Sequence, residues 1–292
     1  MSTYENRSNP AGVILRVLIL LIAAAIFGYG AFQMYGYVTE NKISDESRDK
    51  LAQQSVVILP EVEESPDPVS DLLPSSSQDG EPGTGNRPDL SKTIPLRIDF
   101  ETLRAENPDI IGWIYCADTP INYPIVQGED NQYYVNHLVD GTALGSGAIF
   151  LDFRNYNDFS DLNSLIYGHN MTNKSMFGSL RYYRDQSYYE EHPVIWIATP
   201  EVAYRVDLIA ACTTAADSDD YDIFTTQEEL QLHLEEMINR STFRSRVNPS
   251  VVSRIVTLST CTYDYDNARY IVIGNLLPIP YPAEESNEFL AE

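Results

Sequence analysis

Residues 254–276 read RIVTLSTCTYDYDNARYIVIGNL, two β-branched runs separated by a polar stretch rich in Asp, Asn and Tyr. Strand alternation sets Ile255, Thr257, Ser259 and Cys261 on one face, and the polar turn that follows returns the chain as a hairpin opening on Arg269. The same texture recurs upstream in IIGWIYC, INYPIV, GAIFLDF, NSLIYGH, VIWIA and YRVDLIAACT, short apolar runs bounded by turn residues at irregular intervals. No helix is regularly interposed, so the pattern predicts a mainly β domain, an antiparallel sheet or barrel, and not a doubly wound fold. Helices are few. Thr225 or Thr226 caps a run in which Leu230, Leu234, Met237 and Ile238 share one face, and shorter helices are expected over 99–106 and 176–184.

Upstream of the domain the composition changes twice. Residues 17–36 carry no charge and, as a helix, span about 30 Å, the thickness of a bilayer hydrocarbon core. The stretch ends without a small-x-small cleavage site, which favours a retained anchor over a cleaved signal peptide. Arg7 and Arg16 precede it while Glu40, Asp45 and Glu46 follow, so the N-terminus is expected to be cytoplasmic and the rest external. Residues 60–95 are dense in Pro, Ser, Gly, Asp and Glu and bury too little apolar surface to fold. The expected organisation is a cytoplasmic segment over 1–16, a transmembrane anchor over 17–38, a flexible linker over 39–95 with a mean reach of about 40 Å, a catalytic domain over 96–281 and an acidic tail over 282–292.

The net charge of −24 falls mostly on the domain, where residues 96–292 hold 12 basic and 30 acidic side chains. Such a surface repels phosphate backbones and disfavours a nucleic-acid role. The cysteines Cys116, Cys212 and Cys261 show no CxxC pair and no metal-ligand spacing, so no metal site is expected. Cys116 and Cys212 sit in apolar strand-like runs and read as inert buried thiols. Cys261 differs, ending a strand beside a loop, where a catalytic thiol and a half-buried structural one are both admissible.

Of the four histidines, His233 lies beside the apolar face of the 225–240 helix, His192 precedes Pro193 at an element boundary, and His137 sits in a polar loop. His169 projects from the end of NSLIY. If the strands ending at His169 and Cys261 are parallel neighbours, both side chains reach one edge of the sheet. The hairpin brings Arg269 near the thiol, with a guanidinium that stays protonated and is suited to a tetrahedral oxyanion. Asp264 and Asp266 share the turn and are able to orient His169 or Arg269, although turn chemistry explains them equally well.

These residues resemble the active-site set of sortases, cysteine transpeptidases of Gram-positive cell surfaces. The resemblance rests on TLSTC at 257–261, ARYIVIG at 268–274 and YGHNM around His169. NPDIIGWIY at 107–115, INYPIVQGEDNQYY at 121–134, GAIFLDFRN at 147–155, MFGSLRYY at 176–183 and the 225–240 helix make class B the nearest likeness, over roughly residues 98–280. It implies a sortase-type closed β-barrel with peripheral helices and no cofactor. It also implies that Cys261 attacks the carbonyl of a Thr in the C-terminal sorting signal of a surface protein to give a thioester. Arg269 and backbone N–H groups would stabilise the oxyanion. His169 would protonate the leaving amine and then deprotonate an incoming one, from a peptidoglycan precursor or a pilin lysine.

By the same likeness Ser259 and Thr260 would line the peptide groove, with core packing as their other reading. The second position after Cys261 is Tyr263, so no aspartate joins the catalytic set. Two further readings stand beside this one. A cell-wall cysteine hydrolase is disfavoured by chain order, since His169 precedes Cys261 whereas papain-like chains usually run the other way. A non-catalytic anchored domain would use its 20 tyrosines and acidic face to bind ligands.

Overall fold

The computed structural model describes residues 10–59 and 94–281 and divides into two compact units, Met1–Ser47 and Arg48–Glu292. The first holds most of helix α1 (Pro10–Ser55). Its apolar side chains, among them Leu18, Ile22, Ile26, Phe27 and Phe32, are exposed all round the helix. A helix apolar on every side has no preferred face against a protein core, and α1 is long and apolar enough to cross a membrane.

In the second unit, β1 (Val56–Ile58) pairs with β2 (Leu96–Ile98), and α2 (Phe100–Glu106) follows, its first turn capped by the Asp99 carboxylate accepting from the Thr102 N–H at 3.0 Å. Then come β3 (Ile110–Tyr115), β4 (Asn122–Val126), β5 (Ile149–Leu151) and β6 (Asn163–Tyr167). After α3 (Gln186–Glu191) the chain forms β7 (Val194–Ala198), β8 (Ala203–Ala215), α4 (Gln227–Arg240), β9 (Ile255–Cys261) and β10 (Ala268–Ile279).

Eight strands close a barrel in the order β10-β8-β7-β3-β4-β5-β6-β9. Six of the neighbouring pairs are antiparallel. β4 with β5 and β6 with β9 are parallel. The alternation expected from sequence sorts the strands' side chains into two sets. Ile114, Ile125, Ile166, Ile197, Val206, Leu258 and Val272 fill the barrel. Outside, Leu165, Ile209, Ile271 and Ile273 pack under Leu230, Leu234 and Met237 of α4. Trp113, Phe150 and Trp196 pack with Leu51, Leu96 and Leu103 on another flank.

Three expectations change. The linker does not begin at Thr39: the chain stays helical to Ser55 and pairs as β1, with Leu51 and Ile94 buried in the same cluster as Trp113. Residues 39–55 contain neither Gly nor Pro and carry an i,i+4 pair, Lys42–Glu46, so nothing ends the helix where the apolar run stops. Residues 60–93 of the expected linker, the acidic tail over 282–292 and the first nine residues lie outside the described residues. The helix expected over 176–184 is a 3-10 turn at Leu180–Arg184 followed by α3. Lys174 and Met176 adopt φ values of +70° and +54°, a left-handed backbone that no helix continues through. The helix over 225–240 carries the expected cap, a reciprocal box between Thr226 and Glu229, but it buries His233 while Ile238 is exposed.

If residues 48–58 belong to the folded unit, Leu51→Ala removes a core side chain. It is expected to lower unfolding free energy by about 2–5 kcal/mol in urea denaturation; a neutral effect would return this stretch to the linker.

Candidate active site

β6 and β9 run side by side in parallel with Tyr167 opposite Ser259. The Gly168 N–H donates to the Ser259 carbonyl at 3.1 Å. Two residues further along each strand stand His169 and Cys261, on the same outward face as Leu165 and Tyr167 and as Thr257 and Ser259. Across the β9–β10 hairpin Arg269 is the register partner of Cys261, and it shares the outward face of Ile271 and Ile273. Directly opposed antiparallel residues hold their Cβ atoms about 5 Å apart. The parallel pairing that sequence reading leaves conditional is therefore present, and His169, Cys261 and Arg269 line one cleft of about 510 Å³.

Each side chain is set by its surroundings. Gly168 allows β6 to end here, since a Cβ at this position would collide with Ile149 and Phe177. The His169 Nε2 lies 2.7 Å from the Val135 carbonyl oxygen. A carbonyl only accepts, so Nε2 carries the proton of that bond and Nδ1 is the nitrogen left to exchange one. The carbonyl is itself held in place. Gly147, at φ +57°, packs so tightly beneath it that a Cβ would come within 2.5 Å of the Tyr134 and Val135 oxygens. The Arg269 guanidinium donates to the Ala268 carbonyl at 3.1 Å.

Cys261 is part-exposed, whereas Cys116 and Cys212 are buried, the first against Tyr183 and the second against Met237. Burial pushes both of those thiols up to about 11, so neither supplies a thiolate near neutrality.

Beneath the cleft lies a polar network. The fully buried Asp152 carboxylate accepts from Arg154 through Nε and Nη2, both at 2.9 Å, and from Asn131 and the Tyr167 hydroxyl, also at 2.9 Å. Burial pushes that carboxyl up, but the hydrogen bonds led by Arg154 outweigh it and hold it below the usual carboxylate range. Arg154 also donates to the Tyr221 carbonyl at 3.1 Å. The Tyr221 ring stacks near Tyr167, and its hydroxyl meets the Ser259 hydroxyl at 2.9 Å. Burial raises the Tyr221 phenol to about 12, which keeps it neutral.

The rim is the 216–222 loop, with Asp217, Asp219 and Asp222 along the cleft. It is tied to α4 through the buried Asp220, which accepts from Arg240 at 3.3 Å and from Ser218 at 3.1 Å.

Ser259 and Thr260 both line the cleft, yet both are buried. Ser259 is bound to Tyr221, and Thr260 shares the inward alternation of Val256 and Leu258. Asp264 orients neither His169 nor Arg269: it pairs with Arg184 and accepts from Thr213 and Thr262. Asp152, Arg154, Tyr167, Tyr221, Val135 and Gly147 were not singled out as site residues by sequence reasoning. The motif GAIFLDFRN contains three of them, but nothing in the sequence links its Asp152 and Arg154 to Tyr167 and Tyr221.

Residues 114–277 match the family model described as the Sortase domain. Sortase B of Listeria monocytogenes is 36% identical over 187 residues, covering 62% of this chain and 75% of that protein. Sortase B of Staphylococcus aureus is 29% identical over 265 residues, covering 90% of this chain and 95% of that one. The solved Staphylococcus aureus sortase B–substrate complex superposes with a TM-score of 0.58 at 33% identity, covering 62% of this chain and 85% of that one.

The Arg184–Asp264 pair gives a pH test of its structural role. Hydrogen bonding from Arg184 holds the Asp264 carboxyl at about 2, below the ordinary aspartate range. Its stabilisation is thus complete above the unfolded pKa and is lost as pH falls through the folded one. The pair is solvent-exposed, so Asp264→Asn is expected to cost no more than about 1 kcal/mol at pH 7. That difference should vanish between about pH 4 and pH 2 in denaturation curves.

Proposed function

The chain belongs to the sortase family as a class B transpeptidase, and on that premise we propose that it cleaves a C-terminal sorting signal after Thr and transfers the new carboxyl to an amine of peptidoglycan or its precursor. The observation that carries this reading is the convergence of His169, Cys261 and Arg269 on one outward face at the ends of β6, β9 and β10.

The Cys261 thiolate attacks the threonyl carbonyl carbon, and the carbonyl π pair moves to oxygen. The Arg269 guanidinium, together with backbone N–H groups, stabilises that oxyanion. Collapse breaks the C–N bond, His169 gives its proton to the departing amine, and a thioester remains on Cys261. The acceptor amine then attacks the thioester carbonyl and returns a proton to His169. Collapse of this second intermediate expels the Cys261 thiolate and leaves an amide. The buried Ser259 and Thr260 contribute to the floor on which the peptide lies. The acidic loop at 216–222 attracts a cationic amine towards the cleft, which suits transfer better than hydrolysis.

The same reading gives the chain an external catalytic domain. Arg7 and Arg16 flank the cytoplasmic end of a span over 17–38, and the acidic groups after it face outward. Surface proteins that carry a sorting signal are then the donor partners.

Substitution kinetics on a fluorogenic sorting peptide test the roles. Cys261→Ala is expected to abolish cleavage. Arg269→Ala is expected to lower kcat by about 10²- to 10³-fold with little change in melting temperature. Without acceptor the product is the hydrolysed peptide, and with a peptidoglycan-type amine it is the ligated one. Retained turnover in Cys261→Ala, or water attack alone in the presence of acceptor, would contradict the proposal.

A further inference from the structure

The segment that follows His169 is strained, and it runs from the exposed Thr172 and Asn173 to the buried Met176 and Phe177. Lys174 and Met176 lie in the left-handed region without being glycine, a conformation that is strained and persists only where neighbouring contacts hold it. A local turn holds Lys174, whose N–H donates to the Met171 carbonyl at 3.0 Å, and contacts beyond the turn hold Met176. Met176 bridges to Asn170, and the Phe177 N–H donates to the carbonyl of His169 itself at 3.1 Å. The Met176 N–H, in a residue only 3% exposed, donates to the Tyr123 hydroxyl oxygen at 2.8 Å.

That phenol, 4% exposed, receives a second bond, from Arg48 Nη1 at 2.9 Å, and the guanidinium lies 5.3 Å from the ring centroid. Arg48 is anchored in turn by Asp49, which accepts from its Nε and Nη2 at 2.9 and 2.8 Å. The order of dependence is therefore Arg48, Tyr123, Met176 and Phe177, His169. Neither Arg48 nor Tyr123 lines the cleft, and Arg48 lies well upstream of the residues 114–277 that match the family.

We propose that Arg48 and Tyr123 are positioning residues for His169, the charged side chain fixing the phenol and the phenol oxygen fixing the strained loop that carries the imidazole. The proposal rests on the reading of His169 as the proton carrier. Loss of the phenol oxygen leaves a buried N–H at a left-handed residue without an acceptor. The loop then relaxes and the Phe177–His169 bond loosens. Substrate binding changes little because, of this chain of contacts, only His169 lines the cleft, whereas proton transfer depends on placement to within about 1 Å.

The test uses the full chain in detergent micelles. Tyr123→Phe keeps the ring and removes only the oxygen; it is expected to lower kcat by about 10- to 100-fold with KM within about twofold of the unsubstituted chain. Arg48→Ala is expected to act in the same direction and Arg48→Lys, which still donates, to recover most of the loss. Amide hydrogen exchange at Met176 and Phe177 is expected to quicken at least about tenfold in Tyr123→Phe and in Arg48→Ala.

Unchanged exchange at these two amides, a rise in KM in place of a fall in kcat, or an Arg48→Lys chain no better than Arg48→Ala would each overturn the proposal. Failure of the unsubstituted chain to form a Cys261 thioester would instead remove the transpeptidase reading. The exchange measurement would still decide whether Arg48 and Tyr123 hold the loop.

Discussion

The parallel pairing of β6 with β9 is the constraint on which the rest of the molecule depends. It joins strands whose paired residues are 92 apart in sequence, and its register, Tyr167 opposite Ser259, decides which side chains meet. A slip of one residue would turn either His169 or Cys261 into the barrel. The register is secured on both faces, by Ile166 and Leu258 inside and by Leu165 and Ile255 beneath α4 outside. It is also secured by a buried polar bond, Thr257 Oγ1 donating to Asn163 Oδ1 at 2.8 Å. Antiparallel pairing of β9 with β10 then adds Arg269 without further long-range requirements.

Around this frame the cleft is held by groups that do no chemistry. The Asp152 carboxylate gathers Arg154, Asn131 and Tyr167, and Arg154 passes the connection to the loop that carries Tyr221. A buried carboxylate is tolerable only when its lone pairs are filled, and here they are. The His169 ring is oriented by the Val135 carbonyl, which owes its position to the absence of a side chain at Gly147. The cleft is thus fixed from below by a polar network and from the side by backbone, with the Cys261 thiol, the His169 imidazole and the Arg269 guanidinium along its lining.

Much of this was legible in the sequence because it is local. The Cys261–Arg269 relation follows from one hairpin, the α4 cap from a Thr just ahead of the helical run, and the β character from runs of Val, Ile and Tyr. Barrel closure and the meeting of His169 with Cys261 were not legible from spacing, since they depend on pairing between distant strands. The resemblance to class B sortases supplied what periodicity lacked. The linker reading rests on the composition of residues 60–95 and reaches back to Thr39 only because the apolar run stops there, whereas Leu51 and Arg48 both find partners in the folded unit. Asp264 was read as a possible orienting group from its nearness to Cys261 in sequence; its partner, Arg184, is 80 residues away and carried no signal.

The central claim is that Cys261 carries the acyl group between two substrates. It is tested most directly by intact-protein mass spectrometry after mixing the chain with a sorting-signal peptide in the absence of acceptor. The account predicts a mass gain equal to the peptide portion up to and including Thr, mapped to Cys261 by proteolysis and discharged on addition of an amine. Peptide turnover without any adduct on Cys261, or an adduct on Cys116 or Cys212, would contradict it.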